Sequence, residues 1–244
     1  MERNLTTGSI LKNMIYFSLP YLLSYFLQTL YGMADLFIIG QFDGVASTTA
    51  VSVGSQIMHM LTVMIVGLAM GTTVVIGQAG GGRDREKAAK TIGNTVILFM
   101  IVAVVMMAVF LMLVRPIVAV MSTPQEAVKG TVAYLTICFI GIPCITAYNI
   151  ISSIFRGLGD SKSPMYFIAI ACAANIGFDY IFMGGLHLGP AGAALGTTLA
   201  QALSVVIALY VIKRRGIGIK VSKKDFRPEK TVMGQIVRIG IPIA

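Results

Sequence analysis

Between its charged loops the chain carries one apolar run after another, each long enough for a helix to cross a bilayer. The runs fall at roughly 14–38, 51–77, 92–114, 131–154, 164–183 and 191–212, and each holds the ~20 residues that a span needs at 1.5 Å per residue. Hydrophobic residues make up 56% of the chain and charged ones 12%, about half the charged share of a soluble protein. Inside a bilayer every backbone N–H and C=O must find a partner within the protein, which leaves helices or closed barrels. Continuous Leu, Ile, Val, Met and Ala runs suit helices, because barrel strands would alternate apolar with polar. The expected fold is an all-α polytopic membrane protein, a lobe of six transmembrane helices.

Turn residues punctuate the runs. Pro116 and Pro124 are expected to bracket the third loop, Ser163-Pro164 to cap the fifth span, and Gly184-Gly185 to Gly189-Pro190 to form an outer hairpin. Gly67 and Gly71, like Gly192 and Gly196, carry the four-residue spacing that lets helices approach closely.

Orientation follows from Lys and Arg. The N-terminus and the second, fourth and sixth loops hold 2, 4, 2 and 8 of them, against 0, 2 and 0 in the first, third and fifth. That asymmetry places the N-terminus in the cytoplasm. It also accounts for the net charge of +9, which is a topology signal spread over short loops and no nucleic-acid stripe. Cys138, Cys144 and Cys172 all lie in apolar segments, without metal or disulfide spacing. The first apolar run is too long for a cleaved signal peptide and is read as a retained helix.

The expected organisation is a cytoplasmic N-terminus at 1–13, a six-helix lobe at 14–212 and a basic cytoplasmic linker at 213–232. From 233 to 244 the chain begins again. Gly234 to Pro242 repeats the pattern of Lys12 to Pro20, a polar approach followed by small-apolar-Pro. The chain therefore reads as the first of two repeats, truncated at Ala244. An even number of spans makes those repeats parallel.

Polar residues inside the spans carry the function. Ser24, Gln28, Tyr31 and Asp35 share one face of the first span at helical spacing. Asn175 and Asp179 share a face of the fifth, and Thr197, Gln201 and Ser204 a face of the sixth. Counted from the outer ends, Asp35, Asn175, Asp179 and Thr197 fall at one depth, in the outer half of the membrane. Burying a carboxylate in lipid costs several kcal/mol unless something offsets it. Two carboxylates, an amide and a hydroxyl suit a hard cation such as Na+, and two facing carboxylates equally suit a shared proton. The structural alternative is that each Asp makes only a helix-terminal or interhelical hydrogen bond.

Other signals carry less. Gly157-Leu158-Gly159-Asp160 matches the GxGD pattern of intramembrane aspartyl proteases, but Asp160 sits in a hydrophilic loop and the motif order relative to Asp179 is wrong. Gly80-Gly81-Gly82 lacks the Lys and Ser/Thr of a phosphate-binding loop, so energy has to come from an ion gradient. His59, with Ser52 and Gln56 on its face, is a candidate proton shuttle or an interhelical hydrogen-bonding residue. The methionines read as lipid-facing or packing residues, of a kind that also suits adaptable cavities.

With these residues in place the chain resembles the multidrug and toxic compound extrusion (MATE) transporters. The resemblance rests on Ser18-Leu19-Pro20, Met33-Ala34-Asp35, Val51-Ser52-Val53-Gly54, Gly80-Gly81-Gly82-Arg83-Asp84, Arg156 through Pro164, Asn175 with Asp179, and Gly189-Pro190-Ala191-Gly192-Ala193-Ala194. It implies the N-terminal half of a twelve-helix antiporter in a bacterial plasma membrane, exporting cationic amphipathic compounds in exchange for Na+ or H+, without enzymatic activity or cofactor. It implies a cation site at Asp35, Asn175, Asp179 and Thr197, cavity positions at Gln28, Tyr31 and Asn149, and a hinge at Pro20. The implied partners are the C-terminal lobe in cis, membrane lipid and small cationic substrates. A flippase of lipid-linked saccharides from the same broad superfamily is the alternative; its cavity would need basic residues, and none is seen well inside the six spans. A non-transporting scaffold or half-size homodimer is the other.

Overall fold

A computed structural model describes residues 9–82, 84–219 and 221–243. Of the expected N-terminal segment, residues 1–8 lie outside the described residues, as do Arg83 and Ala244.

Three long helices come first: α1 (Ile10–Phe42), α2 (Val45–Gly81) and α3 (Arg85–Val120). At 1.5 Å per residue each exceeds the ~30 Å hydrocarbon layer, so their ends project beyond it. The start of α3 shows why a helix begins there. Asp84 accepts from the Lys87 backbone N–H at 2.9 Å, Glu86 sits in the positive first turn, and Lys90 pairs with Glu86 at 3.1 Å. Pro116, expected in the third loop, lies inside α3. Ile101, Val104, Val105 and Met112 are exposed along that helix, a face suited to lipid.

The fourth apolar run is not one straight helix. It forms α4 (Gln125–Ile140) and α5 (Ile142–Gly157), bent by 50° at Gly141. Pro143 has no N–H to donate and its ring crowds the preceding turn. The Thr198 side chain presses against Gly141 so closely that a Cβ there would come within 2.6 Å of it. Counting the bent pair as one span gives six among the described residues.

α6 (Lys162–Asp179) opens with Asp160 as its capping acid, a role expected of Ser163. Asp160 accepts from the Lys162 and Ser163 backbone N–H groups at 3.0 Å and from the Ser163 hydroxyl at 2.6 Å. The helix then widens into a π-helical turn over Tyr180–Gly185, and α7 (Pro190–Arg215) returns through a turn with Gly189 at φ 54°.

α6 packs on α1 and α7, while α2 packs on α4, α5 and α8 (Lys230–Gly240). Ile38, Leu61, Leu135, Phe139, Ile142 and Met183 form a dry core around the ends of α1 and α6. The segment expected to be a linker is docked as well. The Glu229 N–H donates to Asn94 Oδ1 at 2.7 Å, and Asn94 Nδ2 donates to the Asp225 carbonyl at 3.4 Å. Asp225 is held below its ordinary carboxylate value by the Ser222 backbone N–H and then by the Ser222 hydroxyl. Gly71 lies directly against the Ile236 carbonyl, so the close approach expected of that glycine is to α8.

Candidate functional site

α1, α6 and α7 bring four side chains together at one end of the lobe. Asp35 lies seven residues before the end of α1, Asn175 and Asp179 on the last turns of α6, and Thr197 two turns into α7. All but Thr197 are sequestered, with Asp35 2%, Asn175 1% and Asp179 0% exposed. The Thr197 hydroxyl donates to Asp35 Oδ2 at 3.1 Å and shares that proton with the Ala193 carbonyl at the same distance. Asn175 Nδ2 reaches the Thr197 oxygen from the other side at 3.5 Å. Asp179 Oδ1 lies against Gly196, the residue that precedes Thr197.

The acceptors outnumber the donors. Asp35 Oδ1, Asn175 Oδ1 and both carboxylate oxygens of Asp179 are buried without a hydrogen-bond partner. Buried polar atoms in native proteins are almost always satisfied, and an unpaired buried carboxylate is among the costliest exceptions. A cluster of oxygens short of positive charge fits either a hard monovalent cation or a proton held between two carboxyl groups.

Two local features make room for this cluster. Asp179 is the last residue before the π-helical turn, where each carbonyl reaches one residue further, as in the Leu186 N–H bond to the Ile181 carbonyl at 2.9 Å. Such turns recur at functional sites. Across from it, Gly196 has no side chain, and a Cβ there would collide with Asp179 Oδ1. The Gly192 and Gly196 pair, expected only to let helices pack, therefore also accommodates a carboxylate. Sequence reasoning missed Gly196 as a site residue. Its one visible signal was a position one residue before Thr197.

The cluster backs onto a cavity of about 720 Å³, a size typical of small-molecule sites. Asp35 and Thr197 form part of its wall, whereas Asn175 and Asp179 stand behind them. The expected cavity residues Gln28, Tyr31 and Asn149 all line it, and the Tyr31 phenol lies against Gln28 and Gln201. Ser52, Gln56 and His59 line the α2 side, with His59 exposed to the cavity. Met33, Met58, Met60 and Met64 face the same space, in line with the adaptable cavity expected as the alternative to lipid or packing roles. Polarizable, flexible thioethers suit cargoes of varied shape. Tyr134, unremarked in the sequence, lines it too, with its hydroxyl 3.1 Å from that of Ser55.

Pro20 is buried within α1, which runs continuously through it, and the Ser24 hydroxyl donates to the Pro20 carbonyl at 2.8 Å. Arg156 departs from expectation. Assigned to a loop by its charge, it belongs to the last turn of α5 and lines a second, smaller cavity beside Tyr21, Gln28 and Tyr148. Arg156 stands one residue from the end of α5 and is partly exposed, so no basic residue lies well inside a span among the described residues.

Comparison with known proteins agrees with this architecture. The MatE family model matches residues 20–181. The chain is 32% identical over 238 residues to "Probable multidrug resistance protein YpnP" of Bacillus subtilis (strain 168), covering 97% of this chain and 53% of that protein. It is 26% identical over 235 residues to "Multidrug export protein MepA" of Staphylococcus haemolyticus (strain JCSC1435), covering 96% and 52%. Among solved structures, "Crystal structure of MATE in the bent conformation" superimposes with a TM-score of 0.90 at 27% identity, covering 96% of this chain and 52% of that one. A MOP superfamily transporter from Pyrococcus furiosus Vc1 (DSM3638), described as having a binding pocket of reverse polarity, superimposes at 0.89 with 27% identity, covering 96% and 52%. The chain spans about half the length of the curated relatives it matches.

Proposed function

The chain belongs to the MatE family, and from that premise we propose that it is the N-terminal, cation-binding lobe of an antiporter. The whole protein exports cationic amphipathic compounds across a bacterial plasma membrane in exchange for Na+ or H+. The observation that carries this reading is the Asp35–Thr197 hydrogen bond at the cavity wall, with two unpartnered Asp179 oxygens behind it.

In this reading Asp35 is the shared element. Its carboxylate forms part of the cavity wall and also part of the oxygen cluster, so a cargo cation and a coupling cation compete for the same negative charge. Binding of one lowers affinity for the other by the same factor. Asp179 and Asn175 hold the coupling ion, Thr197 orients Asp35, and Gln28, Tyr31 and Asn149 shape the cargo space. Pro20 removes one backbone hydrogen bond from α1 and lets its inner half bend when the charge on Asp35 changes. α8 is the start of the second repeat, which closes the cavity in cis. Relatives named as multidrug resistance and export proteins support the reading of drug export.

Everted vesicles carrying the full-length protein test the proposal through dye transport under imposed Na+ or pH gradients. Asp35→Asn and Asp179→Asn are expected to abolish gradient-driven transport at normal expression. Normal transport by both variants would overturn the reading.

A further inference from the structure

The small cavity at the other end of the lobe has the opposite electrostatic character, and we propose that it binds a small inorganic anion of the halide class. Its wall carries Arg156, Ser152 and Tyr148 from α5 and Tyr21, Ser24 and Tyr25 from α1, and no Asp or Glu is among its lining residues. Its volume is about 30 Å³, room for one or two waters or a single monatomic ion.

Arg156 is a charge without a counter-charge. Its Nη2 donates to the Ser153 hydroxyl at 3.2 Å, and its guanidinium stands 5.1 Å from the centre of the Tyr21 ring. Neither contact neutralises it. Among the described residues the ion pair within 4.0 Å is Lys90–Glu86, and Arg156 takes part in none. The nearest acid in sequence, Asp160, spends both oxygens on the start of α6.

Two polar atoms on the cavity wall lack partners. Arg156 Nε and Ser152 Oγ are both buried and unbonded. They belong to residues four apart on α5 and so share one helix face. Both can donate a hydrogen bond. Water could accept these bonds but would leave the charge of a partly buried guanidinium uncompensated, a costly arrangement. A monatomic anion answers the charge and both donors together, with phenol and hydroxyl groups completing its shell. The lobe thus carries an acidic pole at Asp35 and Asp179 and a basic pole at Arg156, linked by Gln28 and Asn149, which line both cavities.

The test uses purified full-length protein and three measurements. Thermal unfolding is followed while chloride replaces gluconate at constant ionic strength. The same assay is run with sulfate and with phosphatidylglycerol micelles, and wild-type crystals grown in bromide are examined by anomalous diffraction. Saturable stabilisation by chloride is expected in wild type, weakened at least tenfold in Arg156→Gln and retained by Arg156→Lys, with a bromide peak beside Arg156. Should Arg156→Gln fail to fold, Ser152→Ala and the bromide map decide the matter. A flat chloride response, an equal response in Arg156→Gln, or no bromide peak would overturn the proposal. So would stabilisation by sulfate or phosphatidylglycerol alone, which would assign the site to an oxyanion or a lipid headgroup.

Discussion

Gly196 on α7 lies so close to Asp179 on α6 that no side chain fits between them. In the proposed cation site this relationship gives a glycine a role without making it a ligand. A Cβ at 196 must displace either the Asp179 carboxylate or the α7 backbone, and such overpacking costs roughly 1–3 kcal/mol.

Gly196→Ala should therefore weaken coupling-ion affinity and gradient-driven efflux by an order of magnitude or more. Gly177, two residues before Asp179, faces open space. Gly177→Ala should be neutral or stabilising by about 0.5–1 kcal/mol, through helix propensity alone. Transport kinetics and thermal unfolding of the two variants separate a local carboxylate effect from general intolerance to substitution.

Thr197 contributes through its hydroxyl, the donor to Asp35 Oδ2. Thr197→Val keeps the shape and leaves that oxygen unsatisfied, at a cost of about 1–3 kcal/mol. Cation affinity measured by isothermal titration should shift by a factor of five or more. Thr197→Ser should stay within a factor of two or three of wild type, and equal affinities for Val and Ser would contradict the assignment.

The docked segment between α7 and α8 makes a separate prediction. Asn94 accepts the Glu229 N–H and donates to the Asp225 carbonyl. Asn94→Ala strands both groups and should free the segment around Lys223 to Lys230. Trypsin added to everted vesicles should cut there several-fold faster than in wild type, with dye binding in the lobe unchanged.

The geometry of the candidate site was legible because depth is arithmetic in a helix. Once the spans and their directions were known, Asp35, Asn175, Asp179 and Thr197 had to lie at one level, and the structure brings them together. What escaped depended on which faces meet. The bend at Gly141 falls inside a continuous apolar run; Pro143 signalled it in the sequence, whereas the contact of Thr198 from α7 with Gly141 did not show there. Gly71 had the spacing for close packing, but nothing in the chain named α8 as its partner. Arg156 was counted as a loop charge, because the extent of α5 and the turn of its side chain toward Tyr21 are set by tertiary packing. Pro116 carried a loop signal that the surrounding apolar helix overrode.

Competition between cargo and coupling ion at Asp35 is the central claim, and cargo-triggered ion release tests it most directly. Purified full-length protein is loaded with ²²Na+ or equilibrated in weakly buffered solution, and a cationic dye is added. Stoichiometric release of Na+ or H+ from wild type is expected, with none from Asp179→Asn despite retained dye binding. Dye binding without release in wild type, or equal release from Asp179→Asn, would contradict the claim.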